Sequence, residues 1–353
     1  MIKKNITGIQ QIGIGVVDFK TALNWYKDNF GMNIKVFEEA AVAKLMGEYT
    51  ENQARERIAA LTLNMQGGGG FEVWQHTGKK PKLPEKEIKI GDIGIFNVKI
   101  KTTDINIAFN TFKNNNDVEL LGDISDSPCN RKHFFLKDPF GNVFQFVETG
   151  KYYSIDKNVN AGVLGATIGV SNIEKSLEVY QDILQYDKVI YDKTDYFEDF
   201  KMLNGGKSKM RRVLLQHSID RKGRFSEFFG PTEIEVIQLI DEKANHIYEG
   251  RMWGDPGFIH ICFDIVGMDK LREECEAKNY PFTVDSSESF DMGEAAGHFS
   301  YISDPDGIPI EFVETHKVPI IKKLGIFMNL KNKPADKRIP RWMINTLRWK
   351  KIK

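Results

Sequence analysis

Residues 135–149 read FLKDPFGNVFQFVET, and residues 301–315 read YISDPDGIPIEFVET. Both hold Asp-Pro-x-Gly, a turn signal in which Asp bonds nearby backbone and Gly takes a positive φ. Both then run into an apolar strand that ends in Phe-Val-Glu-Thr. Working outward, IGVVDFKTALNWYKDNFGM (14–32) parallels IGVSNIEKSLEVYQDILQY (168–186). Each is a short β run, an Asp or Asn suited to cap a helix, and apolar residues at helical spacing. The chain therefore carries one domain twice, over 1–150 and 157–316, with a polar linker at 150–161.

Each copy divides again. IFNVKIKTTDINIAFNTFKNN (95–115) and IHICFDIVGMDKLREECEAKN (259–279) repeat the strand–cap–helix pattern. Strand-like segments follow every helix, which places four βαβββ units at about 8–76, 93–149, 162–240 and 257–316. A helix feeding an open sheet, four times over, predicts an α+β protein with two cupped mixed sheets and the helices on one face.

The bulk properties exclude several classes. A chain of 353 residues has room for two cores, and 41% apolar with 28% charged residues suits a globular protein. Formal net charge is zero, so no whole-protein field draws it to nucleic acid. Cys129, Cys262 and Cys275 are scattered, with no C-x-x-C pair, which argues against a zinc ribbon or disulfide framework. The start, MIKKNITGIQQIGIGVV, has no apolar run of signal-peptide length, and no stretch could span a bilayer. These features read as a reduced, cytoplasmic protein. Residues 317–353 stand apart as a basic C-terminal extension with twelve Lys or Arg and one acid, Asp336. Its end reads as an amphipathic helix packed on the body through Trp342, Ile344 and Trp349, with a membrane-surface or partner-binding role as the alternative.

Paired βαβββ units, the V-x-[DN] helix start and the D-P-x-G-x-x-x-E strand resemble the vicinal oxygen chelate superfamily, and the resemblance spans 8–316. That superfamily includes glyoxalase I, epimerases, extradiol dioxygenases and drug-sequestering resistance proteins. The resemblance implies a cup around one metal, each unit offering one ligand from its first strand and one from its last. Carried over by position, unit one offers Gln11 and Glu72, and unit two Asn97 and Gln145. Unit three offers Gly165 and Glu235, and unit four His260 and Glu311.

Strand alternation tests these positions independently. Ile259, Ile261, Phe263 and Ile265 share one face, and His260, Cys262 and Asp264 take the other. Glu311 points away from Ile310 and Phe312. Gln11 shares its face with Gly13 and Gly15, which would leave room for a ligand. The run Gly67–Gly70 is no phosphate loop, since no G-K-[ST] and no helix follow.

If neighbouring units pair, Gln11, Glu72, Asn97 and Gln145 make one site, too weak a set for a transition metal. If unit one pairs with unit four, Gln11, Glu72, His260 and Glu311 form a complete set, similar to that of some glyoxalase I enzymes. Units two and three would then keep a degenerate site. One imidazole, two carboxylates and an amide suit a divalent ion such as Zn, Ni, Co or Mn. The expected function is metal-dependent proton transfer on a small 2-oxo or 2-hydroxy carbonyl substrate, a lyase or isomerase, with Glu311 or Glu72 as base. Two alternatives stay open. One is a metal-free small-molecule binding protein of the resistance type. The other is an Fe(II) dioxygenase, which needs a second His, with His298 beside a cup strand. No glutathione-contacting residues can be matched. A monomer or homodimer is compatible with the sequence, and the inserts 36–60 and 193–212 are expected to shape the pocket.

Overall fold

The computed structural model describes residues 4–156, 158–287, 290–291, 296–321, 326–331 and 333–352. Unit one comprises β1 (Asn5–Gly15), α1 (Phe19–Phe30), β2 (Ile34–Ala43), β3 (Arg55–Leu63) and β4 (Gly70–His76). Unit two holds β5 (Gly94–Thr102), α2 (Ile105–Lys113), the short β6 (Glu119–Leu120) and β7 (Ser125–Asp126), β8 (Lys132–Lys137) and β9 (Val143–Glu148). Unit three holds β10 (Asn160–Gly169), α3 (Ile173–Leu177), β11 (Lys188–Asp195), β12 (Met210–Gln216), α4 (Ser226–Phe229) and β13 (Glu233–Leu239). Unit four holds β14 (Gly257–Val266), α5 (Met268–Ala277), β15 (Val284–Asp285), β16 (Phe290–Asp291), β17 (Ala296–Ser303) and β18 (Pro309–Ile321). The extension adds β19 (Ile326–Asn329) and α6 (Arg341–Asn345).

Two mixed sheets result, and they do not follow chain order. One runs β15-β17-β18-β14-β1-β4-β3-β2, and the other β11-β12-β13-β10-β5-β9-β8-β6. Unit one thus pairs with unit four, and unit two with unit three. Each sheet is centred on an antiparallel contact, β1 with β14 and β5 with β10, flanked by parallel pairs from first to last strand of each unit. A single buried core runs between them, built from the apolar helix faces and the inward strand residues of all four units. The glycine run 67–70 marks where the sheets touch. Gly69 exchanges backbone hydrogen bonds with Val163 at 3.1 and 2.8 Å, and a Cβ on Gly68 would lie 2.8 Å from the Gly162 carbonyl carbon.

The repeated motifs have separate structural jobs. The Asp of each Asp-Pro-x-Gly turn accepts two backbone N–H bonds of its own turn and a tyrosine hydroxyl from the helical segment of the preceding unit. These tyrosines are Tyr26, 2.7 Å from Asp138, and Tyr180, 3.0 Å from Asp304. Sheets pair across the copies while these turns tie units within a copy. The Glu of Phe-Val-Glu-Thr caps a helix. Glu148 accepts from Ile105 N, and Glu314 from Gly267 N and Met268 N, all at 3.0 Å. Gln75 and Gln238 do the same for Phe19 N and Ile173 N in the other two units. Each cap lies three residues past its unit's candidate ligand position.

Glu314 is most needed, because α5 begins at Gly267, which offers no side-chain cap. Burial pushes its carboxyl up, but His316, the two backbone N–H groups and Arg224 outweigh it and hold it at about 2, below the usual 4.5. A carboxyl depressed in the folded state stabilises above its unfolded pKa and loses that contribution as pH falls. Denaturant titrations should show a loss of up to about 3 kcal/mol from this group between pH 4.5 and 2. Glu314→Gln should be less stable at neutral pH and show a shallower acid limb; an unchanged limb removes Glu314 from this role.

Candidate metal centre

Gln11 on β1, Glu72 on β4, His260 on β14 and Glu311 on β18 converge on one point of the first sheet. The central strand pairings set the register: Gly13 lies opposite both His260 and Glu72, and Cys262 opposite both Gln11 and Glu311. One carboxylate oxygen of Glu311 lies 3.0 Å, and one of Glu72 3.4 Å, from His260 Nε2. The Gln11 amide nitrogen donates to the same two oxygens, at 3.3 Å to Glu311 and 3.4 Å to Glu72. Donor atoms of Glu72, His260 and Glu311 all fall within 4.8 Å of one another, the one such group of His, Cys, Asp or Glu among the described residues.

The site is buried and under-satisfied. His260 is fully buried, yet neither ring nitrogen has a hydrogen-bond partner, and Gln11 Oε1 is likewise buried and unpartnered. An orphaned imidazole beside two carboxylates is costly without a further partner. A divalent cation bound by Nε2, the two carboxylates and, after a half-turn of the amide, Gln11 Oε1 removes that cost. The donor set fits such an ion. Burial, then the charge of Glu311, push the Glu72 carboxyl up to about 7 against the pull of His260 and Arg57. Burial would lower the His260 pKa, but Glu311 and Glu72 raise it.

Two expectations are corrected at this point. Gly13 does not leave space for a ligand: its missing side chain is filled by the His260 ring, since a Cβ there would sit 2.6 Å from Nδ1. Gly15 similarly admits the Asp255 carbonyl. Ile259 does not share the helix face with Ile261, because the register shifts opposite Gly13 and Ile14, and it packs with Trp74, Trp253 and Tyr301.

Those aromatic residues are the part of the site that sequence reading missed. Trp253 stacks on the His260 ring at 5.9 Å between centroids and 13° between planes, and Tyr301 meets it edge-on at 5.6 Å. Trp74 closes on Trp253 at 4.3 Å. Trp253 comes from the connection between units three and four, which carries no strand pattern. Tyr301 could have been found from the repeat, since it stands beside Glu311 as Phe135 stands beside Gln145. The insert 36–60 contributes Met46 and Tyr49 to this apolar cover. None of the other histidines joins the centre. His298, the nearest candidate by sequence, is held by Asp285 at 2.6 Å, and His76 bonds the Trp253 carbonyl.

The second cup is closed by the chain's own cations. Glu235, the position matching Glu72, has one oxygen 2.8 Å from Arg212 Nε and the other 2.8 Å from Lys99 Nζ. Arg212 continues to Asp199 at 2.7 Å and lies on the Phe200 ring. Burial pushes the Glu235 carboxyl up, but Arg212 and Lys99 hold it well below its usual range. Gln145 bonds His133, Asn97 is buried without a partner, and at Gly165 the Glu233 carbonyl leaves no room for a side chain.

The sequence model of the glyoxalase/bleomycin resistance protein/dioxygenase superfamily matches residues 8–146, which hold units one and two. In fold the chain is similar to glyoxalase I from Zea mays, at 11% identity over 88% of this chain and 92% of that one, with a TM-score of 0.55. It is equally similar to a dioxygenase candidate from Bacillus subtilis, at 11% identity over 99% and 97%, also with a TM-score of 0.55. At this identity both likenesses concern the fold alone. No curated protein matches the chain in sequence.

Gly13→Ala should displace the His260 ring and weaken divalent-ion affinity by about 10- to 100-fold, as loss of ligand orientation does elsewhere. Calorimetric titration with Zn, Ni or Mn checks this; unchanged affinity separates His260 from the ion. Glu235→Gln should leave the ion stoichiometry unchanged and destabilise the fold by about 3 kcal/mol or more, because it strands buried Arg212 and Lys99.

Proposed function

We propose that this protein is a divalent-metal-dependent lyase or isomerase that moves a proton on a small 2-oxo or 2-hydroxy carbonyl compound. The observation that carries this reading is the convergence of Gln11, Glu72, His260 and Glu311 from opposite ends of the chain around a buried imidazole with no hydrogen-bond partner. In this reading 1–150 and 157–316 are the duplicated domains, and the working site joins the first half of one to the second half of the other. The site takes one divalent ion, of the Zn, Ni, Co or Mn group. When bound, the ion supplies Lewis acidity to the substrate's carbonyl oxygen.

The chain's own residues supply the rest. His260 and Glu311, the closer pair, anchor the centre. Glu72, which lies farther from His260 at 3.4 Å, serves as the proton carrier: a carboxylate that can leave the ion is placed to take the carbon-bound proton. Trp253 and Tyr301 fix the imidazole plane and keep bulk water from its faces. The absence of a second histidine from the cluster speaks against the two-His, one-carboxylate arrangement of Fe(II) oxygenases.

Metal analysis of the purified protein and proton exchange in deuterated water, followed by NMR on a panel of 2-oxo and 2-hydroxy carbonyl compounds, test this. One ion per chain that is lost in His260→Ala is expected. Exchange should fall by at least about 100-fold in Glu72→Gln while the ion stays bound. A stable protein that never holds an ion but binds small molecules is instead a sequestering protein. Fe(II)-dependent oxygen uptake makes it a dioxygenase.

A further inference from the structure

The C-terminal extension turns two unlike faces to its surroundings. From Arg341 to Lys350 the chain winds as α6 followed by a tight 3-10 stretch. Met343, Ile344 and Leu347 pack inward on a cluster that includes Ile34, Leu61 and Phe228. Trp342 and Trp349 do not join that packing, contrary to the sequence expectation. They are 61% and 74% exposed. Ile155, 80% exposed, lies beside this segment, because Arg348 is paired to Asp156 at 2.9 Å. Two indoles thus project outward from a helical segment whose other face is packed, with exposed Ile155 of the neighbouring connection beside them.

The charge around them is one-sided. The extension holds twelve basic residues and one acid, while the remaining chain holds 37 basic and 48 acidic residues. Zero net charge conceals a strongly basic C-terminal segment. Arg341 and Arg348 brace the helix against Glu227 and Asp156. Lys337, Arg338 and Lys351, close to the tryptophans in sequence, are exposed.

We infer that this face docks on an anionic lipid bilayer surface, with Trp342 and Trp349 seated at headgroup level and the surrounding lysines and arginines meeting the lipid charge. Indoles favour the boundary between water and acyl chain, and basic residues close to the surface add attraction to anionic headgroups. Nucleic acid fits less well, because the indoles crown a convex helix rather than line a groove. Attachment is peripheral: among the described residues no helix is long and apolar enough to cross a membrane. The cluster that seats the helix also contains Leu61 and Leu63 of β3, two strands from β1.

Full-length protein is mixed with phosphatidylcholine vesicles that contain about one third phosphatidylglycerol, and with vesicles of phosphatidylcholine alone. Sedimentation with the anionic vesicles, a blue shift of tryptophan emission and release at about 0.5 M salt are expected. Lys337→Glu/Arg338→Glu and Trp342→Ala/Trp349→Ala should each weaken partitioning by at least about tenfold with an unchanged thermal midpoint, since all four side chains are exposed. No sedimentation with anionic vesicles, equal binding to both vesicle types, or undiminished binding by the tryptophan variant overturns the inference. So does binding to nucleic acid or an acidic polypeptide in place of vesicles.

Discussion

The antiparallel contact between β1 and β14 holds the rest in place. These strands lie some 250 residues apart in the chain, yet their register puts Gly13 opposite His260 and Gln11 opposite Cys262. Each then carries its own parallel partner, β4 with Glu72 and β18 with Glu311. A slip of one residue would turn the ligand row to the helix side of the sheet. Gly13 secures the register sterically, because only a residue without a side chain lets the imidazole lie across β1.

The two cups show one geometric position resolved in two ways. In the first sheet, two carboxylates gather around a buried imidazole with Glu311 at 3.0 Å and Glu72 at 3.4 Å. In the second, Lys99 and Arg212 fill the space, and Glu235 anchors an internal ion-pair network. Both solve the same electrostatic difficulty, a carboxylate on the concave face of a closed sheet. In the reading proposed above, the first takes its cation from outside. The second carries its own cations in the side chains of Lys99 and Arg212.

Much of this was legible from residues alone. Repetition exposed the four units, and alternation along 259–265 and 308–314 put His260 and Glu311 on the concave side. Ligand chemistry separated the pairing of units one and four from that of neighbours, because Gln11 and Glu72 complete a set that Asn97 and Gln145 do not. The Phe-Val-Glu-Thr signature was visible, but its purpose was not: Glu148 and Glu314 act on helices whose first turns are distant in sequence. Trp253 escaped notice because its role depends on a connection with no periodicity. Gly13 was assigned to the right face for the wrong reason, since a glycine in a strand says that something comes close and not what does. Trp342 and Trp349 were misplaced because a helix apolar on two sides gives no sign of which side meets the body.

The pairing order has a consequence for how the chain comes into being. During synthesis units two and three emerge in succession and can close their sheet at once. Unit one, made first, must keep the edge of β1 unpaired until β14 leaves the ribosome, roughly 250 residues later. An exposed apolar edge held open that long invites wrong partners, including the same edge of another nascent copy. The candidate centre is therefore complete only once β18 has been made, and a chain stopped between β13 and β14 is left with a whole second cup and half of the first.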